Sequence, residues 1–279
     1  MKRQRIMIDG GFTCPNRDGS VGRGGCTFCR PDSFTPDYCR TSGSIAEQIK
    51  AGKQFFAGKY PEMRYTAYFQ AYSGTYAPLD VLRSRYREAL SQPDVVGLTV
   101  ATRPDCISTE AIALLKELQE EGYEVSMEVG VESLYDRTLQ RINRGHTAQQ
   151  SIDAIRRLDE AGISVGAHLI IGLPGETEDD ILAEADMLSA LPISMLKLHQ
   201  LLILNGTSMA RDWEEHRSDF LELSLDAYVS LVSAFVKRLR EDIVIERYAS
   251  SAPPHQLISP RWGAKPAEVE RRIRVESFK

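Results

Sequence analysis

Three of the five cysteines fall in one short run, Gly10-Gly-Phe-Thr-Cys14-Pro-Asn-Arg-Asp-Gly-Ser-Val-Gly-Arg-Gly-Gly-Cys26-Thr-Phe-Cys29, a Cys-x11-Cys-x2-Cys spacing. An odd count crowded into one segment fits metal ligation in a reducing compartment better than a disulfide framework. Three thiolates are one short of a closed four-ligand site. A four-iron cubane held by three thiolates keeps one iron free to chelate the amino and carboxylate groups of S-adenosylmethionine (SAM). An electron from such a cluster cleaves the sulfonium and releases a 5′-deoxyadenosyl radical that abstracts hydrogen from a substrate. Gly19, Gly22, Gly24 and Gly25 let the backbone wrap a bulky inorganic core, and Phe28 can shield it. A Cys-x2-Cys knuckle also suits zinc, with Cys39 as a fourth thiolate, and spacing alone does not separate the two metals.

The elements that must carry this loop are legible in outline. A strand-like run at Ile6–Ile8 precedes it, and β-rich runs recur at Tyr65–Gln70, Val95–Val100, Glu124–Val129, Val165–Ile171 and Met195–Gln200. Their starts lie about 30 to 60 residues apart, the length that a strand and a crossover helix require. Capping boxes at Ser44/Glu47 and Thr147/Gln150, with a variant at Thr177/Asp180, mark helix starts between them. Ile152, Ile155 and Leu158 share one helical face, with Gly162 as the stop. Alternating strands and helices imply a parallel sheet whose functional groups gather at the strands' C-terminal ends. The expectation is a partial (β/α)6 TIM-type barrel over residues 1–204, with the cysteine loop at its mouth. After residue 204 the pattern changes to a helix over about Leu225–Leu239, a Pro-rich segment at Pro253-Pro254 and a charged terminal helix. Residues 205–279 are therefore expected to form a small α-rich appendage.

Composition bounds the function classes. The 279 residues are 42% hydrophobic, enough for one large core or two unequal ones. No run approaches the roughly 18 apolar residues of a membrane span, and Met1-Lys2-Arg3-Gln4-Arg5 leads into a strand rather than a signal-peptide core. The reading is cytoplasmic, without a membrane partner. A net charge of −5 gives no global pull toward phosphate backbones. Arg271, Arg272 and Arg274 could touch RNA phosphates locally, but such a short basic run reads first as a solvated face.

The phrase Asp9-Gly-Gly-Phe-Thr-Cys14-Pro-Asn-Arg-Asp-Gly, with Tyr68-Phe-Gln-Ala-Tyr72, Thr102-Arg-Pro-Asp105, Asn143-Arg-Gly-His146, His168-Leu-Ile-Ile-Gly-Leu-Pro-Gly-Glu176 and Lys197-Leu-His-Gln200, resembles the radical SAM proteins similar to the catalytic subunit of Elongator. More narrowly it resembles their short bacterial subfamily, from about residue 6 to the C-terminus. It departs from that pattern in lacking an upstream segment and in having Ser73-Gly74 where a Thr-Asn pair is usual. The resemblance implies a [4Fe–4S] cluster on Cys14, Cys26 and Cys29. It places Gln70, Tyr72 and Ser73 at the methionine amino group of SAM, Glu132 at the ribose hydroxyls or amino group, Arg144 at the carboxylate and His168 near the ribose. Glu128 lies on the same strand face as Glu132 by period-two counting and competes with it. Gly172-Leu-Pro-Gly-Glu176 could let an adenine approach the backbone, although an ordinary connector explains it as well.

Lys197 and His199 alternate onto one face of the sixth strand and are the catalytic candidates on the substrate side. Arg103 and Asp105 are the next candidates, or a structural ion pair. Cys39 and Cys106 read as inert thiols. The implied function is modification of a tRNA wobble uridine, from a carboxymethylaminomethyl toward an aminomethyl side chain. The implied partners are tRNA and a reducing electron donor such as flavodoxin or ferredoxin. A small metabolite or another protein as substrate, and a non-catalytic zinc or iron–sulfur module, are the competing readings.

Overall fold

The structure, a computed structural model, describes residues 2–41, 43–57 and 63–277, so Met1 and residues 278–279 at the ends of the expected domains lie outside it. In chain order the strands are β1 (Lys2–Ile8), β2 (Met63–Phe69), β3 (Val95–Thr102), β4 (Glu124–Glu132), β5 (Ser164–Ile171), β6 (Met195–Gln200), β7 (Ile203–Leu204), β8 (Val244–Arg247) and β9 (Leu257–Ser259). Seven of them pair in the order β1-β2-β3-β4-β5-β6-β8, every pairing parallel. The sheet is a curled half-barrel. β7 and β9 form a separate antiparallel pair.

Helices cover the convex face because alternate strand residues are apolar there. Val125, Met127, Val129 and Val131 of β4, Val165, Ala167, Leu169 and Ile171 of β5, and Leu196 and Leu198 of β6 join one buried core with Ile155, Leu158, Ile181 and Leu188 of the crossover helices. The capping boxes at Ser44, Thr147 and Thr177 all form, each side chain accepting from the backbone N–H three residues on. The other set of strand residues, Arg5, Tyr68, Glu128, His168, Lys197 and His199 among them, faces the concave side. Register and pleat thus separate an apolar outer layer from a polar interior.

The expected six units are one strand short. The helix Leu225–Arg238 packs on the helix Glu178–Ser189, its Tyr228, Val232 and Phe235 enter the main core, and β8 adds to β6 as a seventh parallel strand. Part of the segment after residue 204 therefore completes the sheet. The terminal helix Pro266–Ser277 lies on Leu225–Arg238, where Arg272 pairs with Asp226 at 2.5 Å and Arg274 with Glu270 at 2.9 Å. Two of its three candidate phosphate contacts are thus already paired.

Candidate active site

The cysteine loop is built by its own turns. Cys14 precedes a single helical turn, Pro15–Asp18, that Gly19 ends in the left-handed region (φ 99°). The amides of Val21 and Gly22 return to the Pro15 carbonyl at 2.9 and 3.2 Å, that of Gly25 to Asn16 at 2.8 Å, and that of Cys29 to Cys26 at 3.0 Å. The fully buried Asn16 donates Nδ2 to the Asn143 carbonyl at 2.5 Å, Asn143 donates to the Gly25 carbonyl at 2.8 Å, and the Thr27 amide reaches Ile142 at 2.9 Å. The loop is thereby fastened to the turn after the helix Asp136–Arg141.

Cys14, Cys26 and Cys29 line one cavity of about 640 Å³ at the C-terminal mouth of the sheet. Arg144 donates Nη1 to Cys26 Sγ at 3.4 Å, and Arg17 donates to the Cys29 carbonyl at 3.1 Å, so two guanidinium groups stand beside the thiols. Cys39 is absent from this wall; its thiol donates to the Met7 carbonyl at 3.4 Å, away from the fourth-ligand position the zinc reading needs. Among the described residues no three His, Cys, Asp or Glu side chains are grouped to hold a single metal ion.

Gln70, Tyr72, Ser73, Glu132, Arg144, His168 and His199 all line the same cavity. Its backbone is strained where it matters: Tyr72 and Glu132 adopt φ of 60° and 66°, and Asn143, which clamps the cysteine loop, 51°. Glu132 follows a register shift between β4 and β5 that turns its carboxylate toward Arg144, 3.2 Å away. Arg144 is held on three sides: Nε donates to His146 at 2.9 Å and Nη2 to the Gly130 carbonyl at 2.7 Å, and Nη1 keeps a second N–H beyond the one directed at Cys26. Burial and then Arg144 push His146 down to about 2, so its neutral ring accepts that hydrogen bond. A side chain at Gly130 would meet Arg144 Nη2 at 2.6 Å and Glu132 Oε1 at 2.7 Å.

Behind Glu132, Ser133 Oγ lies 2.6 Å from Glu176 Oε1 and 3.2 Å from Glu184 Oε1, and the Leu134 amide donates to Glu184 at 2.6 Å. Burial pushes Glu176 up to about 7, and burial and Glu176 together push Glu184 well above the usual carboxyl range. These two acids hold the turn that presents Glu132, and neither role is readable from spacing. Arg103 is buried and forms a two-point pair with Asp105 at 2.9 and 2.8 Å, the structural alternative, yet it also lines the cavity.

Lys197 sits deeper than expected. It is absent from the cavity wall, 3% exposed, and its ammonium donates to both Glu128 oxygens at 2.7 Å. Glu128 also accepts from Tyr68 at 2.5 Å, His168 at 2.8 Å and Arg5 at 2.7 Å. Arg5 bridges on to Glu246 at 2.6 Å, joining the two edge strands β1 and β8. This polar plug forms the cavity floor. His199 stands above it, beside His168 with ring centroids 5.3 Å apart, its Nδ1 bonded to Ser250 Oγ.

The buried atoms Gln70 Oε1, Ser73 Oγ and Arg103 Nη1 have no hydrogen-bond partner among the described residues, and all three side chains line the cavity. Buried polar atoms without partners are rare. Together with three thiols and flanking cations, they fit a cavity shaped for a polar cofactor. The sequence profile of the radical SAM superfamily matches residues 14–188. The chain belongs to the radical SAM superfamily. A radical SAM C-terminal domain profile matches residues 193–276 of the same chain. This radical SAM protein is 40% identical over 261 residues to protein YhcC of Escherichia coli (strain K12), covering 94% of the chain and 82% of that relative. A tRNA uridine(34) acetyltransferase of Methanocaldococcus infernus is 27% identical over 145 residues, 50% of this chain and 25% of the relative. The archaeal Methanocaldococcus infernus Elp3 with an N-terminal deletion superposes with a TM-score of 0.72 at 16% identity, over 99% of this chain and 64% of that one, and so shares the fold. The cofactors of the superfamily are a [4Fe–4S] cluster and SAM.

Proposed function

We propose that this radical SAM enzyme modifies a tRNA wobble uridine, converting a carboxymethylaminomethyl side chain toward the aminomethyl form. Cys14, Cys26 and Cys29 would hold the cluster, and Gln70, Tyr72, Ser73, Glu132, Arg144 and His168 would hold SAM. When bound, cluster and SAM would supply a 5′-deoxyadenosyl radical; loss of a hydrogen atom from the carboxymethyl carbon beside the amine, and of one further electron returned to the cluster, would give an imine that water splits into the aminomethyl side chain and glyoxylate.

The observation that carries the reading is the cavity. At about 640 Å³, it lies within the roughly 300–1,000 Å³ range of sites that enclose a drug-sized ligand, and it opens at the mouth where a nucleobase turned out of its stack could enter. The likeness to a relative named for tRNA uridine 34 points the same way. The chain's own residues do the rest. Arg144 and Glu132 fix one wall, the Glu128 plug closes the floor to water from below, and neutral His199 orients a substrate group without taking up charge. A cytoplasmic flavodoxin or ferredoxin is the proposed electron source. Incubating the reconstituted enzyme, SAM and reductant with tRNA carrying 5-carboxymethylaminomethyluridine tests it by mass spectrometry of the nucleosides. Loss of that nucleoside with gain of 5-aminomethyluridine supports the reading, and unchanged nucleosides beside active SAM cleavage move the substrate to a small metabolite or a protein.

A further inference from the structure

Five arginines line the cavity: Arg17, Arg30, Arg103, Arg144 and Arg247. The first four are engaged, with the Cys29 carbonyl, with Asp32 and Asn205, with Asp105, and with Cys26, Gly130 and Glu132 respectively. The guanidinium of Arg247, the last residue of β8, has neither an ion pair nor a hydrogen bond among the described residues. The acids of the floor beneath the cavity are already taken, since Glu246 pairs with Arg5 and Lys197, and Glu128 accepts from four donors. A guanidinium on the cavity wall with no protein partner keeps its N–H donors for an anion, which it can bind with two parallel hydrogen bonds.

The surroundings are built for one. Ser250 is locked to the end of β6 by a reciprocal pair of bonds, Gln200 Nε2 to its carbonyl at 2.8 Å and its amide to Gln200 Oε1 at 2.7 Å. It bonds in turn to His199 Nδ1, and the opposite nitrogen, Nε2, is buried without a partner. With the Ser250 hydroxyl donating to Nδ1, Nε2 carries the hydrogen and is a second donor on the same wall.

We infer that Arg247, with His199 held by Ser250, anchors an anionic group of the substrate, a carboxylate or a phosphodiester, at the β6–β8 end of the cavity. The anchor names the substrate side of the site and rests on the cavity being the active site. It also explains why a seventh strand matters to the chemistry, because only β8 carries this cation into the mouth.

Modification by phenylglyoxal, resolved residue by residue by peptide mass spectrometry on the SAM-loaded, reconstituted protein, tests it. Acetate stands for a substrate carboxylate and dimethyl phosphate for a nucleic-acid backbone, with acetamide and trimethyl phosphate as their neutral counterparts. Arg247 reacts, and one of the two anions slows its modification, halving the rate at its own dissociation constant and lowering it about elevenfold at ten times that concentration. Protection by acetate alone assigns a carboxylate, and by dimethyl phosphate alone a phosphodiester. An Arg247 that does not react, or that neither anion protects beyond its neutral counterpart, overturns the inference. The assay needs neither SAM cleavage nor tRNA turnover, so that failure would leave the wobble-uridine reading standing.

Discussion

Replacing Glu128 by Gln keeps an oxygen that accepts from Tyr68 and His168 and removes one negative charge from beneath the cavity. In the native plug Glu128 and Glu246 face Arg5 and Lys197, two charges against two. Burial raises the pKa of Glu128, but His168, Lys197 and Arg5 outweigh it and hold the group well below the usual carboxyl range, so the charge is present in the folded state. The variant leaves Lys197, 3% exposed, and Arg5 to share Glu246. Breaking a buried pair from one side costs about 3–5 kcal/mol, which for a chain of this size lowers the melting temperature by about 6–20 °C. Adding Lys197→Met restores one acid against one base, and the double variant should recover about 1–3 kcal/mol of the loss. Urea and thermal unfolding of the wild type, both single variants and the double variant give the cycle. A Glu128→Gln loss under about 1 kcal/mol, or a double variant less stable than Glu128→Gln alone, would refute the reasoning that the plug is a balanced charge network.

Single replacements of Cys14, Cys26 or Cys29 by Ala should abolish the iron–sulfur absorbance of reconstituted protein, while Cys39→Ala keeps it; equal loss in Cys39→Ala would count against the three-thiol assignment. Gly130→Ala, whose methyl would displace Arg144 and Glu132, should weaken SAM binding in equilibrium dialysis about ten- to a hundredfold and lower the unfolding free energy by about 1–3 kcal/mol. The folded chain keeps a proton on the Glu176–Glu184 pair that an unfolded carboxyl has released, so stability should fall as pH rises from about 4.5 toward 7. The slope from one such proton reaches about 1.4 kcal/mol per pH unit, and Glu176→Gln should flatten it in unfolding titrations.

The cysteine spacing drew attention to one local loop, whose three thiols the structure brings to a single cavity, and the period of two groups Glu128, Glu132, Lys197 and His199 on the concave face of the sheet. A face is not a depth. Lys197 lies two residues, about 7 Å, below His199 along β6, and that distance turns a substrate-side candidate into part of the floor. The seventh strand went unread because Val244–Arg247 has a single buried residue, Ile245, too short an alternation to stand out. Arg247 went with it. The acid pair behind Glu132 is assembled from Ser133 and from two residues of a crossover more than forty positions away, and no local pattern announces such a contact.

The most direct test is release of 5′-deoxyadenosine by anaerobically reconstituted, dithionite-reduced protein given SAM, with and without hypomodified tRNA. Release that requires each of Cys14, Cys26 and Cys29 and rises with that tRNA is the predicted result. Cluster-loaded protein that releases none under either condition would contradict the account.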